Sequence, residues 1–273
     1  MSLRAKSHRW FGVAAFLALL VTLLFLAAPI VAILTSTDPR TLLKSLGEPA
    51  NREALLLSLK TTTAAMLIIV VIGTPAAYFL ALSSFRGRSF VLTAIELPLV
   101  LPPTVAGIAL LAAFGPQGLF GPQLDDLGVE LVFQTAGVVV ALVFVAAPFY
   151  LRQAVAAFAA IDPGLIDASR TLGSSPLRTF LRVSIPVARP GLASGVALAW
   201  ARAIGEFGAT LLFAGSLVAV TQTAPLAIFA RFSDPNGYTQ AIALSVVLII
   251  VSAALLMAVK FTGGDRALEG RGL

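Results

Sequence analysis

Residues 61–84 read TTTAAMLIIVVIGTPAAYFLALSS, without one charged side chain. As a helix this run is about 36 Å long, enough to cross the roughly 30 Å hydrocarbon core of a bilayer. Its centre, MLIIVV, is uniformly apolar, whereas a barrel strand alternates apolar and polar positions. An open strand would leave backbone groups unpaired in lipid. The run is therefore read as a membrane-crossing helix.

Comparable runs recur on both sides of it, and the spacing predicts helices at about 10–34, 58–84, 92–114, 131–151, 190–215 and 239–260. Composition agrees, since 58% of the 273 residues are hydrophobic and 12% are charged. The mean hydropathy is +0.96. The expectation is an all-α polytopic protein with six transmembrane helices in a single domain spanning 1–273.

The first run follows a basic stretch with Arg4, Lys6, His8 and Arg9. It exceeds the roughly 7–15 residues of a signal-peptide core, so a retained first helix with a cytoplasmic N-terminus is expected. Inside segments then hold Arg4, Lys6, Arg9, Arg86, Arg88, Arg152, Arg170, Arg178, Arg182, Arg189, Lys260, Arg266 and Arg271. Only Arg40, Lys44, Arg52 and Arg231 fall outside, together with Asp125, Asp126 and Glu130. That asymmetry predicts both termini in the cytoplasm. Residues 216–230, apolar but interrupted by Thr221, Gln222, Thr223 and Pro225, are read as an external re-entrant or interfacial segment.

Several functions are excluded by what the sequence lacks. It contains no cysteine and its single histidine is His8, which rules out a disulfide framework and argues against a Cys/His metal cluster. The same scarcity removes zinc- and serine-hydrolase motifs. Lys6, Lys44, Lys60 and Lys260 follow Ala, Leu, Leu and Val, so the Gly-Lys of a P-loop is missing. No cofactor is expected on this chain, and ATP would have to be bound elsewhere. The net charge of +6 is assigned to the cytoplasmic loops and not to nucleic acid.

The loop at 152–189 is long for a compact protein. From residue 161 it reads IDPGLIDASRTLGSSPLRTFLRVSIPVARPGL. Asp162-Pro163 and Ser175-Pro176 are N-cap and first-turn pairs, and Gly173 suits the left-handed end between two short helices. Pro186 and Pro190 are expected to stop the second helix. Leu165, Ile166, Ser169 and Leu172 fall near one face, forming a knob that fits either a partner's groove or the lipid headgroups.

Inside the membrane runs, Arg202 and Glu206 are spaced to pair, either as a structural ion pair or beside a substrate path. Gly205, Gly208 and Ala209 offer a small-residue face for a dimer seam. Thr104 and Thr210 are either uncharged polar contacts along such a path or hydroxyls bonded to their own helices. Pro98, Pro102 and Pro103 should bend or break the third helix.

Asp167-Ala168-Ser169, then Gly173, then Val183-Ser184-Ile185-Pro186, resembles the signature of ABC importer permeases: Glu-Ala-Ala, three residues, Gly, nine residues, Ile, one residue, Leu-Pro. The spacing is matched, with Asp for Glu, Ser for Ala, Val for Ile and Ile for Leu. The resemblance implies a MetI-like ABC importer permease fold, a separate cytoplasmic ABC ATPase, and an ATPase-coupling site at Asp167, Ala168, Ser169, Gly173 and Pro186. It also implies an external binding protein, a homodimer, and a bacterial plasma or inner membrane. Two further segments, ELPLVLPPTVAGIALL (96–111) and RAIGEFGATLLFAGS (202–216), with TQTAPLAIF (221–229), are similar to the molybdate branch, with sulfate permeases next. On that likeness Thr104, Arg202, Glu206, Gly208 and Thr210 are candidates for the translocation path or the dimer seam. A permease for sulfate, thiosulfate or tungstate is the alternative, and a proton-coupled secondary transporter is a further one.

Overall fold

In the computed structural model the backbone is described for residues 2–263 and the side chains for 11–258. The basic residues Arg4, Lys6, His8, Arg9, Lys260, Arg266 and Arg271, on which part of the sidedness argument rests, lie outside the described side chains. Every regular element among the described residues is helical.

Four helices are each long and apolar enough to cross a membrane: α1 (Ser2–Thr35), α3 (Pro49–Leu82), α7 (Thr135–Ala159) and α13 (Tyr238–Gly263). Two further apolar helix pairs are sharply bent. Helices α4 (Arg88–Val100) and α5 (Pro103–Phe114) meet at 118°, while α10 (Ile185–Ile204) and α11 (Gly208–Ala214) meet at 60°. Counting each bent pair as one span gives six. The first break falls at Leu101-Pro102, where two consecutive prolines remove the amides that would continue the helix. The second corrects the expected continuous helix at 190–215, and it falls at Gly205-Glu206-Phe207.

Four short helices fill the connections: α2 (Pro39–Gly47), α6 (Gly121–Asp126), α8 (Pro163–Thr171) and α9 (Pro176–Thr179). A fifth, α12 (Ala224–Phe232), lies antiparallel to the start of α3. The Ala224 N–H donates to Ser58 Oγ at 2.7 Å, and Arg231 Nη2 meets Glu48 Oε2 at 3.1 Å. At nine residues α12 is about 14 Å long, too short to cross. Arg231 also donates to Gln240 Oε1 at 3.0 Å, tying α12 to α13. This packing explains why α3 begins nine residues before the start expected at 58: Arg52 and Glu53 sit in a helical stretch held by α2 and α12 instead of by lipid.

The centre of the bundle is α3, α7 and α10 around Tyr150, which is 1% exposed. A Cβ on Gly73 of α3 would lie 3.1 Å from the Tyr150 ring, and one on Gly195 of α10 would lie 3.2 Å from its other edge. One turn away, a Cβ on Gly191 would come within 2.5 Å of Ala157 Cβ. Gly191 and Gly195 thus form the small-xxx-small stripe along which α10 approaches α7. An adjoining face of α7 carries a second core, with Ala141 and Val145 against Ala106 and Leu110 of α5 and Ala209 and Phe213 of α11. Helix α1 stands apart, exposed over Phe11–Thr35 except at the half-buried Ile33, and meets the bundle at α13.

Pro186 and Pro190 do not stop the chain. A π-helical turn, Phe180–Ser184, carries α9 directly into α10, with the Ile185 N–H donating to the Phe180 carbonyl. The wider turn accommodates Pro186, which has no amide to donate.

Candidate functional site: an exposed helix and two broken spans

Helix α8 is built by its caps. Asp162 accepts from the Gly164 N–H at 2.9 Å, with Pro163 in the first turn. At the other end Gly173 has φ +80° and donates its N–H to the Arg170 carbonyl at 2.9 Å. Nothing lies within 4 Å of where its Cβ would stand, so backbone conformation and not crowding selects glycine. Ser175 then accepts from the Arg178 N–H at 3.3 Å and starts α9.

The faces of α8 are divided differently from the expected knob. Ile166, 5% exposed, enters the main core, and Ser169 is joined to Thr179 by a 3.0 Å hydroxyl hydrogen bond. Leu165 and Leu172 are 46% and 86% exposed, and Asp167 and Ala168 are exposed with them. The open apolar positions are therefore 165, 168 and 172, which recur at helical spacing. Pro186 is not part of this surface; it lies in the first turn of α10, beyond the π turn.

An aromatic cluster holds this end to the bundle. Tyr78 of α3 lies 5.2 Å from Phe158 of α7 and 4.7 Å from Phe180 of the π turn, ring centre to ring centre. Ser184 Oγ donates to Tyr78 at 3.5 Å. The exposed face of α8 is consequently presented by a rigid base.

The second candidate region is where the broken spans meet. A Cβ on Gly208, at the start of α11, would lie 2.8 Å from Pro103 Cβ, at the start of α5. One on Gly107 would lie 2.8 Å from Leu212 Cβ and 3.0 Å from the Ala209 carbonyl. Gly208 and Ala209 are thus packed against α5 inside the chain, while Gly205 stays exposed. Arg202 Nη1 and Glu206 Oε2 pair at 2.5 Å, with side chains 29% and 1% exposed. Glu206 lies beyond the end of α10, and its other oxygen accepts from the Ala209 N–H at 2.8 Å. Thr104 is exposed at the first turn of α5, whereas Thr210 is fully buried and its hydroxyl has no partner among the described residues. Thr210 therefore does not bond back to its own helix.

Some contributors went unread in the sequence. Glu96 of α4 faces Arg152 of α7 at 3.9 Å; a lone carboxylate in an apolar run was the available signal. Phe133 and Ala219 adopt φ of +59° and +65°, rare for residues with a side chain, and no local sequence rule marks them. A cavity of about 470 Å³ lies beside α6, but Asp125 and Glu130 line it, an unfavourable lining for an anion. No three His, Cys, Asp or Glu side chains among the described residues are placed to share a metal ion.

Four long apolar helices and two sharply bent helix pairs packed together, with a helix held by an aromatic cluster and exposed at one end, define a multi-pass membrane transport component. Residues 69–259 match the family described as binding-protein-dependent transport system inner membrane component, and the chain belongs to it. It is 42% identical over 247 residues to the molybdenum transport system permease protein ModB of Mycobacterium tuberculosis, covering 89% of this chain and 92% of that one. It is 36% identical over 244 residues to the molybdate/tungstate transport system permease protein WtpB of Pyrococcus abyssi, covering 89% and 91%. A probable sulfate transport system permease protein cysT of Chlorokybus atmophyticus is 36% identical over 78% of this chain and 74% of its own. Among solved structures, a bacterial ABC transporter involved in alginate import superposes with a TM-score of 0.77 over 95% of this chain and 97% of that one. At 15% sequence identity that likeness bears on the fold alone.

Proposed function

We propose that this chain is the permease subunit of an ATP-driven importer for molybdate, forming the translocation path and coupling it to a separate ATPase. The observation that carries the substrate is the 42% identity to the molybdenum permease of M. tuberculosis over 89% of the chain. ATP is bound by the partner, and this subunit performs no catalysis of its own.

The ATPase docks on α8, where Leu165, Asp167, Ala168 and Leu172 are exposed and Ser169 and Gly173 hold the helix in place. Two copies face one another across the broken spans and enclose the path, with Thr104 and the exposed edge of Arg202 beside it and Glu206, Gly208 and Thr210 supporting it from within. An external molybdate-binding protein delivers the anion, membrane lipid surrounds the apolar outer face, and both termini lie in the cytoplasm of a bacterial cell. Weak hydroxyl and partly screened guanidinium contacts suit a conduit that must release a dianion quickly. Sulfate is the second reading, favoured by the 36% identity to a sulfate permease.

The test is ATP-dependent uptake of labelled molybdate into vesicles holding this chain, its ATPase and its binding protein. Uptake blocked by excess tungstate and spared by excess sulfate is expected. Block by sulfate, or no uptake of molybdate, moves the assignment to the sulfate branch.

A further inference from the structure

The α10–α11 break has a single side chain that holds both of its halves. Phe207 occupies the N-cap position of α11, and its side chain offers no acceptor. Glu206, one residue earlier, reaches across instead: Oε1 takes the Ala209 N–H of α11 at 2.8 Å, and Oε2 takes Arg202 of α10 at 2.5 Å. Both oxygens are engaged and the side chain is 1% exposed. A carboxylate so placed does not contact a passing anion, nor has it a free oxygen for relaying protons.

What Glu206 holds is larger than α11. The close approaches of Gly208 to Pro103 and of Gly107 to Leu212 leave no room for slippage between α11 and α5. Their common core with α7, Ala106, Leu110, Ala209 and Phe213 against Ala141 and Val145, is separate from the main core and lies on an adjoining face of α7. On the side of α4 and α10 the block of α5 and α11 joins the chain through two breaks, at Leu101-Pro102 and at Gly205–Phe207. The first break has no side-chain cap, and α4 on its far side has no buried residue. Only the second break carries a polar tether.

We propose that Glu206 is a positioning residue for transport: by bonding Arg202 and the Ala209 amide it fixes the angle at which the α5–α11 block is carried on α10, without touching the substrate. The proposal rests on the importer reading for its functional consequence, but the geometry it asserts can be measured without any substrate. Removing the charge releases the block on the α10 side, so that movement of α10 is no longer passed to it. An anion-contacting residue would instead alter affinity or selectivity.

The experiment compares wild type with Glu206→Gln and with the double variant Arg202→Gln/Glu206→Gln, each assembled with its ATPase and binding protein. The double variant removes the guanidinium that the single change leaves without its counterion, and so guards against a failure to assemble. Spin labels at Leu198 and Leu217, exposed positions on either side of the break, report the angle in the assembled complex. The distance distribution should broaden in both variants. In Glu206→Gln maximal molybdate uptake should fall about tenfold or more, while the half-saturating concentration of loaded binding protein and competition by tungstate and sulfate stay as in wild type; the double variant, which also removes a guanidinium beside the path, is read by the label distance. An unchanged label distance in both variants overturns the proposal, and so does a changed KM or selectivity at undiminished maximal rate in Glu206→Gln. Failure of the wild-type complex to take up molybdate refutes the substrate reading instead, and the label distances then still decide the role of Glu206.

Discussion

Thr74 and Tyr150 provide a prediction in which two changes to one hydrogen bond have unequal cost. Their oxygens are 2.6 Å apart in the centre of the bundle, linking α3 to α7. The Thr74 hydroxyl also bonds the Val70 carbonyl of its own helix, and a carbonyl can only accept. The one Thr74 proton is therefore committed to Val70, and Tyr150 is the donor to Thr74. Replacing Tyr150 by Phe removes that donor and leaves Thr74 still bonded to Val70, so the loss is one interhelical hydrogen bond, about 0.6–1 kcal/mol. Replacing Thr74 by Val leaves the Tyr150 hydroxyl, in a side chain 1% exposed, without its acceptor. That orphaned donor costs about 2 kcal/mol. The double variant should match Tyr150→Phe to within about 0.5 kcal/mol, because no donor is left to orphan. Reversible unfolding of the purified chain in detergent, followed by circular dichroism, measures all three. If Tyr150→Phe costs as much as Thr74→Val, or if the two losses simply add, the assigned direction of the bond is wrong.

Other outcomes follow from the same geometry. Gly195→Val should destabilise the chain by about 1–3 kcal/mol, since even a Cβ there stands 3.2 Å from the Tyr150 ring; the same unfolding assay reads it. Gly173→Val forces a β-branched residue into φ +80° and should abolish ATP-driven uptake while the chain still inserts and elutes as a folded species. Surviving uptake would refute the role given to that turn. Leu172→Asp, at a side chain 86% exposed, should leave stability within about 0.5 kcal/mol yet sharply reduce co-purification of the ATPase subunit. Undiminished co-purification would remove α8 as the docking surface.

The sequence exposed the α8 turn and missed the organisation of the broken spans for an identifiable reason. Asp162-Pro163, Gly173 and Ser175-Pro176 are local signals, because a cap or a left-handed turn is satisfied by neighbours a few residues away. The break at Leu101-Pro102 was legible on the same ground, since proline lacks an amide wherever it is placed. Pro186 obeys the same rule but has a different outcome: the π turn before it takes up the missing bond, held in place by Phe180 against Tyr78 of α3. The break at Gly205–Phe207 carries no proline, and it depends on α5 lying against α11. Arg202 and Glu206 were legible as a pair, but the bridge that the pair makes to Ala209 was not.

By itself, then, the sequence determined the solvent and the class of fold: uninterrupted apolar runs such as 61–84 must satisfy their backbones within themselves in lipid, and only helices do so. It also determined where local turns fall and, through the spacing of Asp167, Ala168, Ser169, Gly173 and Pro186, which family to compare. Tertiary structure alone decided which small residues become helix contacts. Gly191, Gly195 and Gly208 meet neighbours inside the chain while Gly205 does not, though all four are glycines in one apolar run. A bilayer drives helices together through close packing more than through burial, so hydrophobic periodicity carries little information about which faces meet. Pairing there is set by shape between segments far apart in sequence, as when Gly73 and Gly195 receive the two edges of the Tyr150 ring.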